Sequence, residues 1–284
     1  MRHIRIKRAE EKFFKALMIV ATLAIVVSLF MIIVAIVKRG MPAMNWDMIS
    51  KIPGGGFYIG KEGGLLNAIV GSLYIVLGSI TLGLAFSLPI VLYINIYLPE
   101  KSKLAQFTRL SFDVLFGIPS IVYGAFGFTI MVYLGLRSSL LAGILTVTML
   151  IIPILIRSID EVMRRVPKEM RDAALSLGAT RSETIRVILR QVVPGIVTAV
   201  LLSVGRGIGD AASVLFTAGY TDSIPTSLSQ PVATLPLAIF FQLSSPIAEV
   251  QNRAYAAALI LTVIVLFLSI SARYFSRKYS KNKV

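Results

Sequence analysis

Residues 203–216 read SVGRGIGDAASVLF. Arg206 and Asp210 carry opposite charges at a spacing of four, among Gly205, Gly207 and Gly209, and the apolar run QVVPGIVTAVLL precedes them. A guanidinium offers paired, planar hydrogen bonds to an oxyanion. A neighbouring carboxylate can orient it or accept a proton. The chemistry suggested is binding and passage of an anion, not catalysis. A charge at the bilayer centre costs roughly 2.5–3.5 kcal/mol on insertion scales, so both side chains must face a bundle interior or a water-filled path. On a helix, positions four apart share a face, and the two are expected to point the same way. Counted from residue 193, Arg206 sits about 20 Å along the axis at 1.5 Å per residue, past the centre toward the outer half. The glycines add flexibility and admit a helix or a ligand to the backbone. Two readings follow: an internal pair that holds helices together, or the lining of a path. Ionisable residues inside spans are functional candidates by default.

A weaker pair, Arg157 and Asp160, stands at the inner end of another apolar run. It reads either as a basic anchor at the membrane interface, with an acid one turn on, or as more of the same lining.

The segments that must position these residues are membrane spans. The chain has 284 residues and is 56% hydrophobic, above the 45–50% usual for soluble domains. A spanning helix needs about 20 mostly apolar residues. Six segments qualify, at about 15–37, 66–96, 110–135, 138–156, 193–217 and 254–272. Pro89 is positioned to kink the second. The expected fold class is an all-α polytopic membrane protein. Lys and Arg crowd the N-terminal arm, the 157–192 segment and the C-terminal tail, whereas the 218–253 loop holds only Arg253. By the positive-inside rule both termini are cytoplasmic. Lys38, Arg39, Lys51 and Lys61 fit that orientation imperfectly. The same distribution assigns the net charge of +15 to membrane topology, with no nucleic-acid partner. The first span is read as a retained anchor, since no A-x-A-like site follows it.

Composition removes several chemistries. Without cysteine there is no disulfide, thiolate metal site or cysteine nucleophile, and the single histidine is His3 on the terminal arm. No metal site and no resident cofactor is expected. GGFYIGKE, residues 55–62, nearly fits the phosphate loop G-x-x-x-x-G-K-[ST]. Glu62 stands where the magnesium-binding hydroxyl belongs, no apolar strand precedes it, and the expected orientation places it outside. It reads as a flexible connector.

Between the fourth and fifth spans, Pro167 can open a helix whose Met170, Ala173, Ala174 and Leu177 form one apolar face. Gly178 suits its end. Thr180 and Glu183 form a capping box for a second helix, with Ile185, Ile188 and Leu189 as its apolar side. By spacing alone, this hairpin rests on lipid headgroups or docks a partner.

DAALSLG in this hairpin resembles the EAA-x-x-x-G motif of ABC importer permeases, with Asp172, Ala173, Ala174 and Gly178 on the motif positions and Asp for the usual Glu. Arg190 and Gln191 stand where that family's motif continues with Leu-Pro. GGLLNAIVGSLY (63–74), GIPSIVYGAFG (117–127), RGIGDAASVLFTA (206–218) and QPVATLPLAIFFQLSSPIAEVQNRAYAAALIL (230–261) resemble PstA-type permeases of phosphate importers. The resemblance implies the type I ABC importer permease fold. It divides the chain into residues 1–62 (arm, first span, outside loop), a permease core at 63–276 with coupling helices near 167–190, and a tail at 277–284. It implies a plasma (inner) membrane permease and a docking site for the ATPase at Asp172, Ala173, Ala174 and Gly178.

It further implies a second permease of PstC type, two cytoplasmic ATPase subunits that hold ATP and magnesium, and an extracellular or periplasmic phosphate-binding protein. Arg206 and Asp210 fall on that family's conductive arginine and acid, and Arg157 and Asp160 on its Arg-x-x-Glu. Phosphate keeps a proton near neutral pH that a carboxylate can accept, and sulfate has none to offer. Alternatives are a permease for molybdate or tungstate, and a non-transporting membrane scaffold or sensor.

Overall fold

The computed structural model describes residues 2–54, 62–99 and 101–280. Ten α-helices are found among them: α1 Arg2–Gly40, α2 Trp46–Ser50, α3 Leu66–Leu92, α4 Lys103–Phe116, α5 Ser120–Tyr133, α6 Leu140–Arg164, α7 Lys168–Ser176, α8 Arg181–Ile208, α9 Leu235–Leu243 and α10 Ala248–Ser280. A π-helical turn, Tyr93–Tyr97, extends α3, and a two-residue antiparallel pairing joins Pro53–Gly54 to Glu62–Gly63. The rest of the glycine-rich stretch 55–62 lies outside the described residues.

Five helices are long and apolar enough to cross a membrane: α1, α3, α6, α8 and α10. The third expected span, 110–135, is not one straight helix. It is the pair α4 and α5, bent by 99°, and it supplies the sixth crossing only as a broken span. The sequence at the elbow is Gly117-Ile118-Pro119. A residue before proline is driven out of the α region, and Pro119 itself caps α5. The Tyr123 hydroxyl donates across the bend to the Leu115 carbonyl at 2.8 Å, which holds the angle.

α6 is the central helix. α3, α8, α4 and α5 all pack on it, and Val147, Ile151, Leu155, Ile156 and Ile159 are almost wholly buried. Small residues set the spacing, as they do where lipid supplies no hydrophobic drive between helices. A Cβ at Gly83 would meet Leu155, one at Gly78 would meet Ile144, and one at Gly71 would stand 2.0 Å from the Ala233 carbonyl oxygen. Polar side chains join helices where backbone groups need partners. Ser79 donates to the Ile144 carbonyl at 3.0 Å, and Ser72 accepts the Leu235 N–H at 2.9 Å.

α10 packs on α8, α9 and α1. α1 touches the bundle at its Gly40 end, where a Cβ would lie 2.6 Å from the Tyr255 carbonyl oxygen. Arg39 there donates to the Tyr255 hydroxyl at 3.1 Å and lies over its ring. The apolar window of α1 is otherwise uncovered. In the loop before α9, Tyr220 packs edge-on against Phe241. Burial, and then nearby Asp222, push its phenol up to about 12, so it stays protonated at physiological pH.

Replacing Gly71 by valine is expected to destabilise the protein by at least about 2 kcal/mol through overpacking against rigid backbone. Gly205→Ala, with nothing within 4 Å of its Cβ, is expected to stay within about 1 kcal/mol of wild type. Thermal unfolding of the detergent-purified protein compares them.

Candidate functional site

α8 is one uninterrupted helix from the basic hairpin to Arg206. At its start Thr180 accepts the Glu183 N–H and the Glu183 carboxylate accepts the Thr180 N–H, which completes the expected capping box. The expected second hairpin helix and fifth span are therefore a single rod. Pro194 lies inside it without ending it.

The rod ends at Ile208, not at 217. Gly205, Gly207 and Gly209 lower helix propensity over that last turn by about 1 kcal/mol each relative to alanine, and Gly209 is the cap. Asp210 thus lies beyond the helix, and the expected i,i+4 face shared with Arg206 does not exist. Asp210 Oδ2 instead accepts the Ser213 N–H at 2.8 Å, an aspartate turn of the kind that starts irregular backbone. Residues 212–218 continue as turns. Gly124 of α5 abuts them: a Cβ there would be 2.7 Å from the Ala212 carbonyl oxygen. Asp210 is half-buried and, with Ser72, Gly207 and Thr234, lines a cavity of about 10 Å³, room for about one water molecule.

Arg206 behaves differently. Arg206 lies on an exposed stripe of α8 with Leu202 and Gly209, and the adjoining stripe of Ala199, Ser203 and Gly207 is buried. Among the described residues Arg206 makes no salt bridge and no hydrogen bond. An arginine at the end of an apolar helix keeps its donors free for something outside this chain's own packing.

Arg157 and Asp160 both lie on α6, which continues past residue 156 to Arg164, but they do not meet each other. Asp160 is taken by Arg109 of α4. Arg109 Nε donates to Asp160 Oδ2 at 3.0 Å and an η nitrogen donates to Oδ1 at 3.1 Å. Asn95, in the π-helical turn, donates to the same Oδ1 at 2.7 Å and accepts from Arg109 at 3.1 Å. Arg157 stands 3.6 Å from Asp113 and over the Phe116 ring at 4.9 Å, both on α4. Arg109 and Asn95 were missed because each sits at the border of an expected span. The signal for Arg109 was its i,i+4 spacing from Asp113, the same cation-then-acid order as Arg157 and Asp160, which pairs crosswise when the two segments run in opposite directions. A cleft of about 440 Å³ opens beside these pairs, lined in part by Arg109, Asp113, Arg157, Asp160 and Arg164.

The hairpin residues occupy α7 and its turn. Gly178 takes φ +80°, the left-handed conformation that a glycine end supplies. α7 packs on α8. Ala174 is half-buried, Asp172 and Ala173 are exposed, and Leu177 is 89% exposed. The apolar face expected from the spacing is thus only partly covered by this chain.

Residues 87–281 match the family of the binding-protein-dependent transport system inner membrane component. This chain belongs to that family. It is 40% identical over 215 residues to the phosphate transport system permease protein PstA of Yersinia pestis, a match that covers 74% of this chain and 72% of that one. It is 35% identical over 275 residues to PstA of Pasteurella multocida, covering 94% and 95%. It is 30% identical over 278 residues to a probable PstA of Methanocaldococcus jannaschii, covering 96% of each chain. Among solved structures, an inward-facing MetNI methionine ABC transporter chain superposes with TM-score 0.60 at 19% identity, over 76% of this chain and 95% of that one. The fold is that of a type I ABC importer permease. The chain is a multi-pass inner membrane permease subunit, not an enzyme.

Within this permease the two α4–α6 pairs differ in weight. Arg109→Met leaves the Asp160 carboxylate without its cation and is expected to cost about 3–5 kcal/mol. Arg157→Gln, which removes a solvent-screened pair, is expected to cost less than about 1 kcal/mol. Denaturant unfolding of the two variants measures the contrast.

Proposed function

We propose that this chain forms half of the transmembrane pathway of an ATP-driven inorganic phosphate importer. The observation that carries the reading is Arg206, a guanidinium with no hydrogen bond or ion pair among the described residues, on an exposed stripe of a membrane-spanning helix. A charge kept toward the end of a span, at a cost of up to the roughly 2.5–3.5 kcal/mol of the bilayer centre, needs an anion or water to face it. Guanidinium suits tetrahedral oxyanions, which take paired hydrogen bonds from its planar fork. The relatives named as phosphate transport permeases support phosphate as that anion. Asp210, one residue past the helix cap, shapes the backbone there. Its carboxylate can accept the proton that phosphate carries and sulfate lacks.

One such arginine is a thin lining for a pathway, and a second permease of PstC type supplies the opposite wall. Two ATPase subunits hold ATP and magnesium, and one of them docks on α7 and its turn through Asp172, Ala173, Ala174 and Gly178. A binding protein outside delivers phosphate. Both termini lie in the cytoplasm, on the side of the basic hairpin. Arg157 and Asp160 stand near the inner mouth.

Arg206→Gln in the four-component complex reconstituted in liposomes is expected to cut phosphate uptake at least tenfold, the worth of one lost charge-assisted hydrogen bond, while the complex still assembles. Undiminished uptake at normal ATP turnover removes Arg206 from the pathway, and uptake of molybdate in preference to phosphate replaces the substrate. For the docking site, Ala173→Glu changes an exposed position. It is expected to preserve expression and abolish copurification of the ATPase, and retention of the ATPase at wild-type stoichiometry rejects that surface.

A further inference from the structure

Two ion pairs of opposite sense join α4 to α6. α4 presents Arg109 and Asp113, and α6 presents Arg157 and Asp160, so each helix gives one cation and one acid to the other. The pairs are not equivalent. The Arg109–Asp160 side chains are 24% and 10% exposed, and Asn95 bonds to both. The Arg157–Asp113 side chains are 54% and 56% exposed, and their contact is 3.6 Å, too long for a hydrogen bond.

A guanidinium has five N–H donors, and among the described residues Arg157 makes no hydrogen bond with any of them. Phe116 lies beneath its plane at 4.9 Å, and a ring in that position holds the cation in place without using its donors. The cleft of about 440 Å³ in front is lined by Arg109, Arg157, Arg164 and Arg165 against Asp113, Asp160 and Glu161, four cations and three acids. Arg165 takes Glu161 and Arg109 takes Asp160. The charge left over is positive and is that of Arg164, which has no ion pair among the described residues, and of the three pairs the weakest is Arg157–Asp113.

From this geometry we infer that Asp113 is the resident counter-ion of Arg157, a positioning residue that holds the guanidinium toward the empty cleft and is displaced from it by an oxyanion in transit. The inference rests on the reading that the chain conducts phosphate. A carboxylate and a phosphate oxygen compete for the same donors. Because the resident pair is exposed and long, it is weak, and the anion displaces it without breaking a buried bond. The Arg109–Asp160 pair keeps α4 on α6 meanwhile. Asp113 and Phe116 both lie in the last turn of α4 before the 99° elbow, so the exchange at Arg157 acts on the arm of the broken span.

The test is site-resolved labelling of arginines by phenylglyoxal in the intact complex, read by mass spectrometry against rising inorganic phosphate. In the wild type, phosphate is expected to protect Arg157, while Arg109 stays unlabelled throughout. In Asp113→Asn the phosphate concentration for half-protection is expected to fall about two- to fivefold, the worth of one screened pair. Asp113→Glu, which keeps the charge, is expected to restore the wild-type value. Absence of phosphate protection at Arg157 in the wild type overturns the inference, whether or not Asp113→Asn folds. So does an unchanged half-protection concentration in Asp113→Asn. Phosphate uptake by the same wild-type liposomes is measured in parallel. Normal uptake with no Asp113 effect rejects the counter-ion alone, and absent uptake with the expected labelling rejects the importer reading while the exchange at Arg157 stands.

Discussion

The constraint on which this structure depends is the cost of a charge in a medium that cannot solvate it. Each ionisable group in the bundle is paired within the chain, placed at an end, or turned outward. Asp160 follows the first course: a guanidinium and a carboxamide fill both of its oxygens. Arg157 follows the second, with a loose partner. Arg206 follows the third. Unpaired, it is tolerable only beside water, an anion or another chain, and the open side of α8 is therefore where this subunit is unfinished by itself.

The backbone obeys the same constraint. Irregular chain at membrane depth must find partners for its N–H and C=O groups. α5, just past the elbow, lies against the turns that follow Asp210. Gly124 of α5 lets the two backbones approach, the Asp210 carboxylate satisfies the Ser213 N–H, and Tyr123 satisfies the Leu115 carbonyl. The glycine-rich motifs at 117–127 and 206–218 thus meet where the start of α5 packs on the turns at 212–218.

Much of this was legible in the sequence because hydropathy and capping are local. The long apolar runs, the capping box at Thr180 and Glu183, and the left-handed Gly178 each follow from a few neighbouring residues. Helix ends inside apolar sequence were not legible. Nothing in the hydropathy of GIGDAASVLF marks Ile208 as the last helical residue, so Asp210 was placed on a face that the helix never presents. Charge partners were not legible either. Arg157 and Asp160 looked like a pair because they are close along the chain, but their partners come from α4, at sequence distances that local reasoning does not cover. The glycines at 205, 207 and 209 did carry the signal of a break, and so did the Ile118-Pro119 step.

α8 gives these local features a mechanical relation. It runs 28 residues without interruption, about 42 Å at 1.5 Å per residue, with the Thr180 capping box at one end and Arg206 in the last turn at the other. A continuous helix of this length transmits tilt and translation better than two helices joined by a hinge, since bending it requires stretching its own hydrogen bonds everywhere except at Pro194, which has no N–H to give. At its foot is the turn at Gly178, where φ is +80° and an added Cβ would meet nothing within 4 Å. At its head is the glycine-rich cap and the aspartate turn. Under the proposed docking, a push on α7 would reach α8 through its first turn and displace Arg206 relative to the irregular region beside it. The joints fall where glycine permits them and the rod lies between, so motion at the basic end becomes a change in what surrounds a single guanidinium.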